Sequence, residues 1–231
     1  MPQWACLLPA GARIYPVTMT AVFDENFWDE RYQGSSAVWS GNPNPQLVAE
    51  AARLAPGTAL DVGCGEGADS LWLADRGWHV SGVDFSRVAL EKAARHVAAS
   101  AESRPAIGGS IAWEHHDLLR WTPPASSFDL VSAQYMHLPK GDREPLYARL
   151  AAAVAPGGSL LIVGHSASDI QAGARRPHGP DLFFTAADTA GALDPNHWRI
   201  EVAEARPRAA QDAEGRPITI HDEVLRARRL P

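Results

Sequence analysis

Cysteine is scarce: the 231 residues hold two, Cys6 and Cys64, in very different settings. That excludes a disulfide framework and fits a reducing compartment, so the cytoplasm is the expected location. No apolar run approaches the roughly 20 residues of a membrane-spanning helix, so no membrane partner is expected. Residues 1–17 lack a basic start and a continuous apolar stretch, and no signal peptide is expected there. Positive charge is also short, with 21 Lys and Arg against 27 Asp and Glu, a formal net charge of −6. Nucleic-acid binders gain affinity by neutralising phosphates, so this balance argues against such a partner. The dense basic clusters, Arg175-Arg176 and Arg226-Ala227-Arg228-Arg229, are short enough to be solvated surface. Nine histidines are present, but no H-x-x-E-H or C-x-x-C spacing accompanies them. His115 and His116 are neighbours on an expected strand and point to opposite faces, so no metal site is expected.

What remains is an ordinary globular composition, 45% hydrophobic and 21% charged, long enough for one sizeable core. Neither an internal repeat nor a low-complexity linker interrupts it. The expected organisation is a tail over 1–22 and one domain over 23–231, whose first part, about 23–45, forms a lid. Phe23, Phe27 and Tyr32 lie near helical spacing and predict a short helix, which Gly34-Ser35-Ser36 breaks. Asn44 and Pro45 predict the start of a helix over 46–54. After Pro56-Gly57 strands and helices alternate. Strands are expected at 59–62, 79–83, 110–116, 128–133 and 159–163. Helices are expected at 68–76, from Ser86 to about Ser100, and at 143–154. Continuous apolar strands separated by helices indicate a mostly parallel sheet covered on both faces. Residues 198–206 and 218–230 alternate more clearly around Gly215 and predict an antiparallel pair at the sheet edge.

The most informative segment is Leu60-Asp61-Val62-Gly63-Cys64-Gly65-Glu66-Gly67, between an expected strand and a helix. Glycines at alternate positions let the backbone lie against a ligand and turn into a helix. The following strand ends at Asp84, the right distance on for a carboxylate that accepts both hydroxyls of a ribose. NAD sites carry G-x-G-x-x-G and seat a pyrophosphate. Here the spacing is G-x-G-x-G, and Asp61 and Glu66 bring two carboxylates to the loop. They would repel a pyrophosphate and attract a sulfonium and an ammonium, which favours S-adenosylmethionine (SAM) over NAD. Cys64 has no base implied beside it and reads as a small residue filling the loop.

LDVGCGEG at 60–67, GVDFS at 82–86, HHDLL at 115–119, FDLVSAQYMHL at 128–138 and APGGSLLIV at 155–163 resemble, in that order, the class I SAM-dependent methyltransferases. The resemblance implies an α/β, Rossmann-like seven-stranded mostly parallel sheet with helices on both faces and an antiparallel C-terminal strand pair. It implies SAM as cofactor, S-adenosylhomocysteine as its product, and a cofactor site that includes Asp61, Gly63, Cys64 and Gly65. Gly63 and Gly65 would line the methionine part of SAM and Asp84 would bind the ribose. Phe85 would flank the adenine, Asp117 and the Leu118 backbone would hold it, and Gln134 would sit beside the methionine moiety. Trp28-Asp29-Glu30-Arg31-Tyr32 followed by Trp39-Ser40-Gly41 resembles the front segment of thiopurine methyltransferase-like and tellurite-resistance-like enzymes. By that resemblance Trp28, Tyr32 and Trp39 would close over the cofactor, and Arg31 could hold its carboxylate.

The fourth strand continues into Ala133-Gln134-Tyr135-Met136 and lacks the Asn/Asp-Pro-Pro-Tyr/Phe tetrapeptide of nucleic-acid amino methyltransferases. A small-molecule acceptor is therefore expected, methylated on O, N or S, by a monomer or homodimer. Tyr135, His137 and His165 are the candidate pocket residues. His137 stands at the strand's C-terminal mouth, where ligands bind in open α/β sheets, and is the candidate catalytic residue. It reads either as a general base or as pocket lining. The loop from His165 to Phe184 would vary with substrate. A protein or RNA methyltransferase and a non-catalytic SAM-binding module are the alternatives.

Overall fold

The computed structural model describes residues 25–34, 38, 41–101, 108–136, 138–174 and 180–231. The tail over 1–22, Trp39 and His137 lie outside the described residues. Seven strands form one sheet: β1 (Thr58–Val62), β2 (His79–Asp84), β3 (Ser110–His115), β4 (Phe128–Gln134), β5 (Val154–His165), β6 (Trp198–Gln211) and β7 (Pro217–Arg229). Their order is β3-β2-β1-β4-β5-β7-β6. The first five are parallel, and β7 runs antiparallel to both β5 and β6. The seven-stranded sheet with its antiparallel C-terminal pair is as the sequence indicates.

Alternation along the strands divides the core between two faces. Leu60, Val62, Val131, Leu160, Ile162 and Leu225 pack on one face with Leu146, Tyr147 and Leu150 of α5 (Lys140–Ala153). Ala59, Leu130, Leu161, Val163 and Val224 pack on the other. They meet Leu47 and Ala51 of α2 (Pro45–Ala51), and Leu73 and Ala74 of α3 (Ala68–Ala74). The remaining helices are α1 (Glu25–Gln33), α4 (Arg87–Ala101), α6 (Ser168–Gln171) and α7 (Ala186–Gly191). Ser86 caps α4 as predicted, its hydroxyl accepting from the Ala89 N–H at 3.1 Å.

Some boundaries move for identifiable reasons. Asn44 precedes α2 but does not cap it. Its backbone and side-chain N–H groups donate instead to Asp69 at 2.6 and 2.7 Å, and α2 ends at Ala51. α5 begins at Lys140, because the Asp142 and Arg143 N–H groups reach back to the Pro139 carbonyl. β5 begins at Val154 rather than 159. Pro156-Gly157-Gly158 ends the helix and bends the strand, and pairing with β4 jumps from Phe128↔Val154 to Leu130↔Ser159. The 165–184 loop holds α6 and a short 3₁₀ turn at Pro180–Leu182, and α7 follows; the apolar pattern there is too short to reveal them.

Candidate functional site

The strand order reverses direction between β1 and β4, so the crevice beyond their C-terminal ends is where open α/β sheets take ligands. The glycine loop leaves β1 there. Gly63 and Cys64 N–H groups donate to the Val83 carbonyl at 2.8 and 3.1 Å, which extends the β1–β2 ladder into the loop. Gly63 has φ +70°, and a Cβ on it would meet the Met136 sulfur at 2.6 Å. Gly67 has φ +84°, and a Cβ there would meet the Trp113 ring at 2.5 Å. Glycine is required at both, by backbone conformation and by space.

Asp84 ends β2 with its side chain buried. One oxygen accepts from Gly65 N–H and the other from Ser86 N–H, both at 2.8 Å. Each oxygen keeps a further lone pair for a ligand hydroxyl. Burial raises its pKa against the pull of those N–H donors and of His115. Asp61 lies on the α3 side of β1, buried, and accepts from the Ser70 hydroxyl at 2.6 Å. Burial, then the charges of Asp69 and Asp84, push its pKa up to about 8. Asp69 is raised as well, by burial, against the Asn44 donors. Among the described residues no ion pair reaches Asp61, Asp69 or Asp84. Glu66 differs: its carboxylate faces Lys92 at 3.3 Å and accepts from the Val38 N–H at 3.0 Å. The sequence reading gave Glu66 a share in attracting a ligand cation, but its charge is already neutralised by Lys92. Cys64 is buried, and burial with the nearby Asp84 and Asp61 charges holds its thiol well above the usual range, so it fills space.

On the same face of the sheet, Ser132 pairs with Asp61 across β1 and β4, and Gln134 follows. The Gln134 amide N–H donates to the Ser132 hydroxyl at 2.9 Å, and its carbonyl oxygen is buried with no hydrogen-bond partner among the described residues. Tyr135 then takes φ +54°, a strained conformation for a residue with a side chain. Such strain persists where surrounding contacts impose it, and here it lies at the mouth of the crevice. Phe85 is half-buried beside Asp84. Leu118 is buried, while Asp117 is exposed and accepts from Leu119 N–H at 3.0 Å.

α1 lies over this region. Asp29 accepts from the Ser86 hydroxyl at 2.5 Å, and Glu25 pairs with His115 at 2.9 Å. Tyr32 is buried, with Trp28 beside it at 6.1 Å and Lys92 5.9 Å from its ring. Arg31 lies 5.8 Å from the Trp28 ring. Four carboxylates thus fasten the front segment to the core: Glu25, Asp29, Glu66 and Asp69. Sequence reasoning missed these ties, because they join residues far apart in the chain.

Tyr135 and His165 come together, ring centroids 4.5 Å apart, as two of the expected pocket residues. With Met136, Gly164, Leu182, Phe183 and Phe184 they line a small hollow with room for about one water. Arg143 was not foreseen. Its signal was an arginine in phase with Leu146, Tyr147 and Leu150 on the buried face of an amphipathic helix. Among the described residues no cluster of His, Cys, Asp or Glu could hold a metal, and no helix is long and apolar enough to cross a membrane.

The residues fit an adenosyl sulfonium ligand. Buried acids without a counter-cation, an orphaned amide oxygen and a glycine loop beneath them suit a cationic, hydroxyl-bearing molecule. Residues 59–158 match the family described as a methyltransferase domain. A probable thiol methyltransferase from Arabidopsis thaliana is 29% identical over 140 residues, covering 58% of this chain and 59% of that one. A trans-aconitate 2-methyltransferase from Rhizobium meliloti is 31% identical over 123 residues, 52% of this chain and 43% of that one. The chain therefore spans less than two thirds of these curated relatives. A solved structure described as the conversion of a disulfide bond into a thioacetal group during echinomycin biosynthesis aligns at TM-score 0.68 and 28% identity. That alignment covers 89% of this chain and 92% of that one. TehB from Haemophilus influenzae shares the fold, at TM-score 0.62 and 17% identity over 90% of this chain and 67% of that one. Strand order, glycine loop and the family match over residues 59–158 together support a class I SAM-dependent methyltransferase.

Proposed function

We propose that this protein binds SAM across the C-terminal ends of β1, β2 and β4 and transfers its methyl group to O, N or S of a small molecule. The observation that carries the reading is the set of three buried carboxylates, Asp61, Asp69 and Asp84, around a glycine loop with no paired cation among the described residues. When bound, SAM supplies a methyl group already activated on a sulfonium. Asp84 accepts from the ribose hydroxyls while its other contacts hold Gly65 and Ser86 in place. A bound sulfonium and ammonium would favour the ionised forms of Asp61 and Asp69, which burial alone disfavours, and the Gln134 oxygen accepts from the ammonium. The front segment with Trp28 and Tyr32 excludes water, and Trp39 belongs to the same stretch of sequence. Asp117 and the Leu118 backbone hold the adenine, with Phe85 against it.

Orientation of acceptor and methyl contributes on the order of 7–11 kcal/mol in well-aligned reactions. His137 takes the proton from an oxygen or nitrogen acceptor; a thiolate needs no base. Thiol and trans-aconitate methyltransferases among the relatives support a small acceptor over a macromolecule. Calorimetric titration with SAM, S-adenosylhomocysteine and NAD tests the reading. Micromolar binding of the two adenosyl compounds and none of NAD is expected, and no binding of either adenosyl compound would overturn it. In a working enzyme His137→Ala lowers turnover and spares SAM affinity; unchanged turnover would reduce His137 to pocket lining.

A further inference from the structure

Strands and helices alternate along most of the sheet, but β3 is followed directly by β4, with no helix between them. The 116–127 connection therefore has no helix of its own to hold it, and α5 reaches across to it. At the far end of the connection the Ser126 and Ser127 N–H groups donate to the Ala152 and Ala153 carbonyls of α5, both at 2.9 Å. At the near end stands a single turn, closed by the Arg120 and Trp121 N–H groups on the Asp117 carbonyl at 3.0 and 2.7 Å. The carbonyls that leave this turn converge on one side chain of α5. Arg149 Nε donates to Trp121 at 2.9 Å, and its Nη2 donates to Leu118 and Leu119, each at 3.0 Å. Three guanidinium protons are thus committed to backbone, a task for a planar fork and not for a single ammonium. α5 uses a second arginine in the same way. Arg143 donates to the carbonyls of Leu138, Asp181 and Phe183 at 2.9, 2.8 and 3.3 Å, and so braces the segment that carries Phe184.

A helical turn presents its carbonyls at one end and its N–H groups at the other. Arg149 occupies the carbonyl end. At the opposite end the Leu119 N–H is taken by the Asp117 carboxylate at 3.0 Å. The Leu118 N–H has no partner among the described residues, although Leu118 is buried. A buried N–H is rarely left unpaired, so this one is free for a ligand acceptor. The turn therefore offers one N–H donor and, one residue earlier, a carboxylate acceptor. Adenine presents the complement, the N1 acceptor beside the 6-amino donor. We propose that Arg149 is the positioning residue of the adenine site: by fixing three carbonyls it sets where the Leu118 N–H and the Asp117 carboxylate point, without touching the ligand. The proposal rests on the SAM reading, since it takes adenine as the occupant of this turn.

Hypoxanthine reverses both contacts, placing an oxygen against the carboxylate and an N1–H against the N–H. The test is calorimetric binding of S-adenosylhomocysteine and S-inosylhomocysteine to the full chain. The unaltered protein is expected to prefer the adenosyl compound by about tenfold or more. Arg149→Met keeps an apolar stem and removes the donors, and should bring that preference down to about twofold. Arg149→Lys, with one nitrogen in place of the fork, should fall between the two. A role in stability alone would lower the melting temperature and leave the ratio intact, because the folded fraction cancels between two ligands on one protein. A ratio unchanged in Arg149→Met, or no preference in the unaltered chain, would overturn the proposal. If Arg149→Met proves unfolded by circular dichroism, Arg149→Lys decides, and an unchanged ratio there overturns it equally. Absence of S-adenosylhomocysteine binding to the unaltered chain is the failure of the SAM reading itself, whereas binding with an unmoved ratio is the failure of Arg149 alone.

Discussion

At the residue scale, the glycine loop is governed by what its acids lack. Asp61, Asp69 and Asp84 are buried within one small region, and each holds its proton to higher pH than an exposed carboxylate. For Asp61 the folded value of about 8 lies above the ordinary 3.8. The folded chain therefore binds more protons than the unfolded chain between those values, and its stability falls as pH rises through that window. Unliganded protein is expected to lose thermal stability between pH 6 and about 8. Asp61→Asn should flatten that loss and raise the melting temperature at the alkaline end, as read by calorimetry. The same substitution should weaken SAM more than S-adenosylhomocysteine, because only SAM carries the sulfonium charge. Equal weakening of both would remove Asp61 from the electrostatic account. Asp84→Ala should cost about 1.5–3 kcal/mol of SAM affinity, tenfold or more, through lost hydrogen bonds to a charged acceptor. Asp84 and the glycines were legible in the sequence because strand-end position and spacing fix them. The spatial neighbours that tune Asp61 were not.

At the scale of elements, the C-terminal hairpin is fastened to α2 by charge. Glu50 is buried and pairs with Arg206 at 2.6 Å and Arg226 at 3.0 Å. Arg226 also pairs with Glu201 at 3.1 Å, and Gln46 bridges Asp222 and Arg206. Both arginines remain partly exposed, which softens the cost of losing their partner. Glu50→Ala should still destabilise by on the order of 3 kcal/mol, the lower end for a broken buried pair, measured by urea denaturation. A loss under about 0.5 kcal/mol would place the network among inconsequential surface pairs. The dense basic run around Arg226 read as solvated surface in the sequence. The structure corrects this for Arg226, whose partner Glu50 lies on a helix far earlier in the chain. Alternation predicted the hairpin itself; charge pairing across such separations leaves no periodic trace.

For the whole molecule, a ligand that binds only the folded state stabilises it by mass action. SAM at about 100 times its dissociation constant should add about 2.7 kcal/mol. At this chain length that raises the melting temperature by roughly 5–10 °C. Core truncation acts in the opposite direction: Leu150→Ala, at a fully buried α5 position, should cost about 2–5 kcal/mol without altering SAM affinity. β6 is one of the two edge strands of the sheet, and Arg199, Glu201, Glu204, Arg206 and Arg208 along it discourage pairing with another sheet.

The sequence alone determined the alternation of strands and helices, the antiparallel ending, the glycine loop and the acid that closes β2. These follow from local periodicity, from glycine's conformational freedom and from short spacings, all of which are written along the chain. Only the tertiary structure decided that Glu66 belongs to Lys92 and Val38. It likewise turned Asn44 from a cap into a tie to Asp69, and Arg143 from a helix charge into the brace behind Phe184. Those outcomes depend on which elements the sheet topology brings side by side, and burial then makes each polar group take whatever partner lies within reach.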